Sequence, residues 1–211
     1  MSGDPLAVVS AATASDCLDR LGLGGRVLDA RVAQLAPGMR VAGPAHTLLA
    51  VDVPGDGADP YAGEVAAVDA IPSGAVVVVS TTRAAAIWGE LLATAATARG
   101  AVGVVSDGPV RDARQLAEMG FPTFCVGRSP LDSQGRASIE AHGVPVRCGG
   151  VDVAAGDIVV GDTDGVVAVP AAAWADVARL AAEKSDGEDE VRAALRAGRT
   201  LRSVFDEHRI L

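Results

Sequence analysis

Short, Val-rich apolar runs recur through the first 170 residues, and Gly, Pro or Asp bound each of them. Runs of this length with such boundaries predict buried strands. Ala-rich stretches of helical length lie between the early runs, and this alternation favours parallel pairing. No helical pattern intervenes between residues 144 and 170, so part of the sheet should be antiparallel or closed. The predicted strands cover residues 40–42, 46–53, 75–80, 102–106, 123–126, 144–147, 158–160 and 166–169, and the predicted helices cover residues 62–70, 89–99 and 110–119.

Both ends of the chain carry helical patterns. Near the beginning, Ser15 and Asp16 are candidate caps for a helix over residues 17–21, which the following glycines end. After Pro170 we predict helices separated by an acidic break at residues 185–190, and they cover residues 171–184, 191–197 and 200–209.

These elements predict a single α/β domain. Residues 1–170 should form a mixed, partly barrel-like sheet surrounded by helices, and residues 171–211 a C-terminal helical extension of the same domain. Aromatic residues are only 3% of the chain, so the core must be built from Val, Ala and Leu. That composition suits buried strands covered by Ala-rich helices.

The charge balance narrows the range of partners. The net charge of −9 makes nucleic acid and anionic membrane poor candidates. The three cysteines are an odd number with no CxxC spacing, so neither a disulfide framework nor a cysteine zinc site is expected. We find no secretory signal and no membrane-spanning segment, and we therefore expect a cytoplasmic protein.

Two predicted helix starts contain groups that could bind a ligand. Gly89 opens one helix, where free backbone N–H groups can bind a carboxylate. Residues 106–109 read Ser-Asp-Gly-Pro, which predicts a turn at the end of a strand, and Arg111-Asp112 begin the next helix. Because ligands of α/β sheets bind beyond the carboxyl ends of strands, both starts can converge on one crevice.

An isolated Arg-Asp dipeptide is more often a helix cap or a weak surface ion pair. In this context, Asp112 offers the oxygen ligand that Mg²⁺ or Mn²⁺ prefers, and Arg111 offers planar donors for a keto acid or its enolate. Glu90 is a second carboxylate nearby in sequence. Together these residues suggest metal-assisted carbon–carbon cleavage.

The chain resembles the RraA-like proteins, which include 4-hydroxy-4-methyl-2-oxoglutarate aldolases and oxaloacetate decarboxylases. The family motif is an acidic residue, twenty residues and then Arg-Asp, which Glu90 and Arg111-Asp112 match. Other matching words are Gly-Pro-Ala-His-Thr at 43–47, Gly-Phe-Pro-Thr-Phe at 120–124 and Asp-Thr-Asp-Gly-Val-Val at 162–167.

The resemblance implies a class II, divalent-metal-dependent pyruvate aldolase or decarboxylase. By the family's pattern Asp112 would bind the metal, Arg111 the keto oxygen and enolate, and Glu90 a proton-shuttling water. Backbone amides of Gly89, Glu90, Leu91 and Leu92 would hold the substrate carboxylate. The family pattern also implies a homotrimer, or a hexamer of two trimers, with sites at subunit interfaces.

The sequence departs from that pattern at the upstream carboxylate, where the family's aldolases usually have Asp and this chain has Glu90. A carboxylate from a neighbouring subunit also approaches the metal in the family, and Glu188 or Glu190 could supply it here. Arg83 could bind a distal carboxylate, or could be a solvated loop residue. The alternative function is a non-catalytic RraA-like regulator that binds a ribonuclease or another protein.

Overall fold

The computed structural model describes residues 5–53, 55, 59, 61–81 and 84–209. The strands are β1 (Ala33–Gln34), β2 (Val41–Asp52), β3 (Val76–Ser80), β4 (Gly103–Val110), β5 (Thr123–Arg128), β6 (Ala137–His142), β7 (Val146–Cys148), β8 (Val151–Val153), β9 (Ile158–Asp162) and β10 (Gly165–Val169). The helices are α1 (Pro5–Val8), α2 (Ala11–Arg20), α3 (Ala62–Asp69), α4 (Glu90–Ala98), α5 (Ala113–Glu118), α6 (Trp174–Arg196) and α7 (Leu201–His208), with a short 3₁₀ turn at Ala171–Ala173.

The main sheet is mixed and nearly closed, which confirms the predicted fold class. Strands β2, β3, β4 and β5 are parallel neighbours, as the alternation of strand and helix predicted. Strand β2 is long enough to pair with β3 on one side, and with both β9 and β6 on the other, antiparallel to each. A bridge between Val27 and Val167 links β10 to the segment that leads into β1, so the sheet curls into a barrel.

Alternation along the strands divides the core into two apolar layers. In β3, Val76 and Val78 face a cluster that also contains Phe124 from β5 and Val159 from β9. Their neighbours in β3 point the other way, into a second cluster under α3, α4 and α5. A third cluster lies where α2 and α6 pack against β10. In the part of the chain that the structure describes, no helix is long and apolar enough to cross a membrane.

One prediction close to the candidate site was wrong: residues 106–109 do not form a turn. They lie within β4, which continues to Val110 and resumes pairing with β5 after a register shift between Ser106 and Pro109. A strand tolerates Pro at such a bulge because no ladder hydrogen bond is required of it there. The Asp107 carboxylate accepts hydrogen bonds from the N–H groups of Thr81 (2.7 Å) and Gly149 (3.0 Å), which anchors the bulge.

The helices predicted near the two ends of the chain were also wrong in detail. Helix α2 begins at Ala11, because the hydroxyl of Ser10 caps it by accepting from the Thr13 N–H at 3.1 Å. The predicted acidic break at 185–190 lies inside the continuous helix α6. Its acidic residues are compatible with a helix because Glu188 pairs with both Lys184 and Arg192, one turn away on either side.

Candidate active site

A cleft of about 420 Å³ lies beyond the carboxyl ends of β4 and β5. Residues 86–88 run alongside these strand ends, through parallel bridges from Trp88 to Val110 and from Ala86 to Asp132. The Arg111 N–H donates to the Trp88 carbonyl at 2.9 Å, which fixes the two predicted helix starts side by side. The cleft is lined by Tyr61, Glu64, Val65, Ala86, Ile87, Gly89, Leu91, Leu92, Arg111, Asp112, Asp132 and Ser133.

Asp112 has the left-handed backbone conformation, with φ 54° and ψ 37°. This conformation turns its carboxylate away from α5 and toward the start of α4, where Oδ2 accepts from the Glu90 N–H at 3.2 Å. Gly89 makes the approach possible. A Cβ at this position would lie 2.7 Å from Asp112 Oδ2 and from Arg111 Cγ, which is too close for any side chain.

The Arg111 guanidinium lies between two carboxylates. Its Nη1 is 2.8 Å from Asp132 Oδ1, and its Nε is 3.6 Å from Asp112 Oδ2. The side chain remains 38% exposed, so a ligand in the cleft can reach it. The second oxygen of Asp132 accepts from the Tyr61 hydroxyl at 2.6 Å. Burial raises the pKa of Asp132, but the Tyr61 and Arg111 interactions lower it more, so the pKa lies below its usual range.

Glu90 contributes its backbone to this arrangement and directs its side chain elsewhere. Its carboxylate accepts from the Thr94 hydroxyl at 2.8 Å, one turn along α4, and is not part of the cleft lining. Gly89, Leu91 and Leu92 do line the cleft. The structure therefore brings Gly89, Leu91, Leu92, Arg111 and Asp112 together in one cleft, with Glu90 at their edge.

The C-terminal carboxylates lie outside the cleft lining. Glu188 pairs with basic residues of its own helix, and Glu190 lies 3.8 Å from His208. Arg83 lies outside the described residues.

Comparison with known proteins agrees with the fold and identifies the family. Residues 11–168 match the RraA-like family, described as Aldolase/RraA. The chain belongs to the RraA-like family. A crystal structure of an uncharacterized Pseudomonas syringae protein is 30% identical with a TM-score of 0.84, and the match covers 95% of this chain and 94% of that one. Streptomyces coelicolor RraAS2, described as an unusual member of the RNase ES inhibitor RraA protein family, is 32% identical with a TM-score of 0.81, over 90% and 95% of the two chains.

A relative from Halalkalibacterium halodurans, named as a candidate 4-hydroxy-4-methyl-2-oxoglutarate aldolase, is 37% identical over 107 residues. That match covers 51% of this RraA-like chain and 50% of the relative. The chain matches an even smaller share, 32%, of Legionella pneumophila DlpA, to which it is 26% identical over 94% of its own length. The curated relatives are thus matched over only about a third to somewhat more than half of their length.

Four polar residues of this RraA-like cleft were not predicted from the sequence: Tyr61, Glu64, Asp132 and Ser133. Asp132 follows β5, so the rule that ligands bind beyond strand ends could have found it. Glu64 is a carboxylate within an otherwise Ala- and Val-rich helix, which is itself a signal.

Glu64 is the deepest of these residues, with only 2% of its surface exposed. Its carboxylate accepts from the hydroxyls of Ser133 at 3.3 Å and Ser138 at 3.5 Å, which joins α3 to β6 and to the loop that carries Asp132. Burial raises the pKa of Glu64, and these hydrogen bonds only partly oppose the effect.

The donor set suits a hydrated hard cation better than a closed protein cage. Within the described residues, no group of three or more His, Cys, Asp or Glu side chains could hold a metal ion together. Asp112 is about one-third exposed and presents hard oxygen atoms to the cleft. Mg²⁺ commonly binds through one or two carboxylates and keeps several waters, so Asp112 fits that mode of binding.

Proposed function

We propose that this chain is a divalent-metal-dependent carbon–carbon lyase that forms pyruvate. The reaction is retro-aldol cleavage of 4-hydroxy-2-oxo acids, decarboxylation of oxaloacetate, or both. The observation that carries the proposal is the meeting of Arg111 and Asp112 with the N-terminus of α4 in one cleft. Membership of a family that includes a relative named as a candidate aldolase supports it.

The substrate carboxylate would bind at the first turn of α4. The first hydrogen bond within this helix runs from the Ala93 N–H to the Gly89 carbonyl at 3.0 Å. The N–H groups of Leu91 and Leu92 precede it and have no intrahelical acceptor. Both residues line the cleft, so their amides and the positive end of the helix dipole favour an anion there.

Arg111 would then hold the 2-oxo oxygen. Both reactions pass through a pyruvate enolate, so negative charge develops on that oxygen in the transition state. A guanidinium already fixed by two carboxylates needs little reorganisation when the charge appears. Asp112 would hold Mg²⁺ or Mn²⁺, which when bound supplies further stabilisation of negative charge on oxygen.

Glu90 would position the water that takes a proton from the 4-hydroxyl group. Its carboxylate bonds to Thr94 in this structure, so the role requires rotation of the side chain toward the cleft. Decarboxylation has no hydroxyl proton to remove, and therefore needs this step less.

The test is pyruvate release, measured with a lactate dehydrogenase-coupled assay. Oxaloacetate and a panel of 4-hydroxy-2-oxo acids should release pyruvate with Mg²⁺ or Mn²⁺ and not after chelation with EDTA. Asp112→Asn should abolish this turnover. Asn is the suitable replacement because it tolerates the left-handed backbone. Asp164→Asn, at an exposed turn, is the matched control. Activity that survives both EDTA and Asp112→Asn would exclude the proposed mechanism.

A non-catalytic regulator is the second candidate, favoured by the similarity to Streptomyces RraAS2. Glu90 supplies the acidic residue of the aldolase motif, and Arg111 is accessible to a ligand in the cleft. Both features favour the enzyme. The two proposals differ in a direct assay: a regulator would slow RNA cleavage by an endoribonuclease at stoichiometric concentration while releasing no pyruvate from any 2-oxo acid.

A further inference from the structure

The Arg111 side chain is held by a residue for which neither the sequence motif nor the comparisons suggest a role. Asp132 Oδ1 lies 2.8 Å from Arg111 Nη1 and also accepts from the Ser133 N–H at 2.8 Å. Its Oδ2 accepts from the Tyr61 hydroxyl at 2.6 Å. Both oxygens of Asp132 are thus engaged, and its side chain has a single well-defined orientation.

The backbone of Asp132 is fixed as well. Residues 86 and 132 form a parallel bridge, and the Ala86 N–H donates to the Leu131 carbonyl at 2.8 Å. On the other side, the buried carboxylate of Glu64 holds the Ser133 hydroxyl. A series of contacts therefore connects Glu64 in α3, through the loop after β5, to the Arg111 guanidinium.

We propose that Asp132, held by Tyr61, is a positioning residue that sets the orientation of Arg111 toward the substrate. This inference rests on the proposed lyase function and deepens it. Arginine has a long side chain with many rotamers, and a guanidinium has five N–H donors. Asp132 engages Nη1, which leaves other N–H groups of the exposed guanidinium to bind a ligand in the cleft.

The role predicts a specific kinetic pattern. The α4 amides bind the substrate carboxylate without help from Asp132, so KM should change little when Asp132 is replaced. The orientation of Arg111 matters when charge develops on the 2-oxo oxygen, so the loss should fall on kcat. Small misplacements of a catalytic group can cost up to about 100-fold, and we expect Asp132→Asn to lower kcat by roughly 10- to 100-fold.

The experiment is a double-mutant cycle on pyruvate release, with Arg111→Ala, Asp132→Asn, the double variant and the wild type. Asp132→Asn should have little further effect once Arg111 is gone. Free guanidinium should partly restore Arg111→Ala and should not restore the double variant, because Asp132 holds the cation. The matched control is Asp69→Asn, which breaks an exposed pair with Arg99 at 2.6 Å outside the cleft lining and should leave kcat unchanged.

Tyr61→Phe removes only one hydroxyl and tests the same idea if Asp132→Asn fails to fold. It should lower kcat in the same direction by a smaller factor. Independent, multiplicative effects of Asp132→Asn and Arg111→Ala would overturn the proposal, as would a change confined to KM. An inactive wild-type protein would refute the lyase function itself, whereas an active one that is indifferent to both Asp132→Asn and Tyr61→Phe would refute only the role of Asp132.

Discussion

Asp112 lines the cleft and has an unfavourable backbone conformation. The left-handed conformation costs a residue with a side chain roughly 1–2 kcal/mol. Its carbonyl accepts from the Leu116 N–H at 3.0 Å, and its carboxylate reaches the Glu90 N–H, so the surroundings hold it in place. Strain held at one residue in this way is a common property of functional sites.

For Arg111, charge alone should be insufficient. Arg111→Lys keeps the positive charge but loses the planar group that can contact Asp132 and a ligand oxygen together. We expect kcat to fall nearly as far as in Arg111→Ala, by about 10²–10³, or about 3–4 kcal/mol. Affinity for oxalate, a planar mimic of the enolate, should fall in parallel in a calorimetric titration. A near-normal kcat in Arg111→Lys would show that Arg111 acts only as a surface charge.

Glu64 should make folding stability depend on pH. Burial raises the pKa of this carboxyl above its unfolded value of about 4.3, so the folded state binds the proton more tightly. Stability must then fall as pH rises from the unfolded pKa through the folded one. Glu64→Gln removes this titration. Its unfolding free energy in urea should therefore decline less than that of the wild type as the pH rises above about 4.3.

The control for this comparison is Glu140→Gln, because Glu140 is an exposed carboxylate on β6, the strand beside Glu64. It should follow the wild-type curve. Parallel pH curves for Glu64→Gln and the wild type would show that the Glu64 carboxyl titrates normally in the folded protein.

Among the secondary-structure elements, β3, β4, β9 and β10 could be predicted from the sequence because each contains at least two consecutive Val residues. Strand β6 could not, since Ala-Ser-Ile-Glu-Ala-His has only one strongly apolar residue and forms a strand because β2 provides its partner. The break predicted in α6 failed for the converse reason. Ion pairs across successive turns support a sequence that is poor in apolar residues.

Some residues of the candidate site could likewise be predicted from the sequence, and others could not. Gly89, Arg111 and Asp112 could be predicted because they begin helices after strands, a local pattern. Tyr61 and Asp132 are 71 residues apart in sequence, and only tertiary packing brings them together.

The continuity of α6 gives a test with glycine. Gly187 lies inside the helix, so Gly187→Ala should stabilise the protein by about 1 kcal/mol, because Ala has the higher helix propensity. Gly198 follows the helix with φ 86°, so Gly198→Ala should destabilise it. Urea denaturation of the two variants should therefore shift in opposite directions. Destabilisation by Gly187→Ala would instead indicate that the native helix is broken at this residue.

At the scale of the whole molecule, two large apolar side chains at the cleft are exposed in the single chain. Leu91 is 78% exposed and Val65 is 56% exposed, and both line the cleft. We expect a trimer of about 63 kDa, from chains of 21.1 kDa, or a hexamer of twice that mass. Light scattering coupled to size-exclusion chromatography measures this directly. A stable monomer at micromolar concentration would contradict both the assembly and a site completed by a neighbouring subunit.

The long strand β2 also dictates when the protein can fold during synthesis. It pairs Val41 with Gly161, so the first four residues of this edge of β2 have no partner until β9 has been synthesised, about 120 residues later. Contacts between residues so distant in sequence form slowly, and an unpaired strand edge invites aggregation meanwhile. The nascent chain should therefore need protection by chaperones until β9 and β10 emerge, and only then can the barrel close.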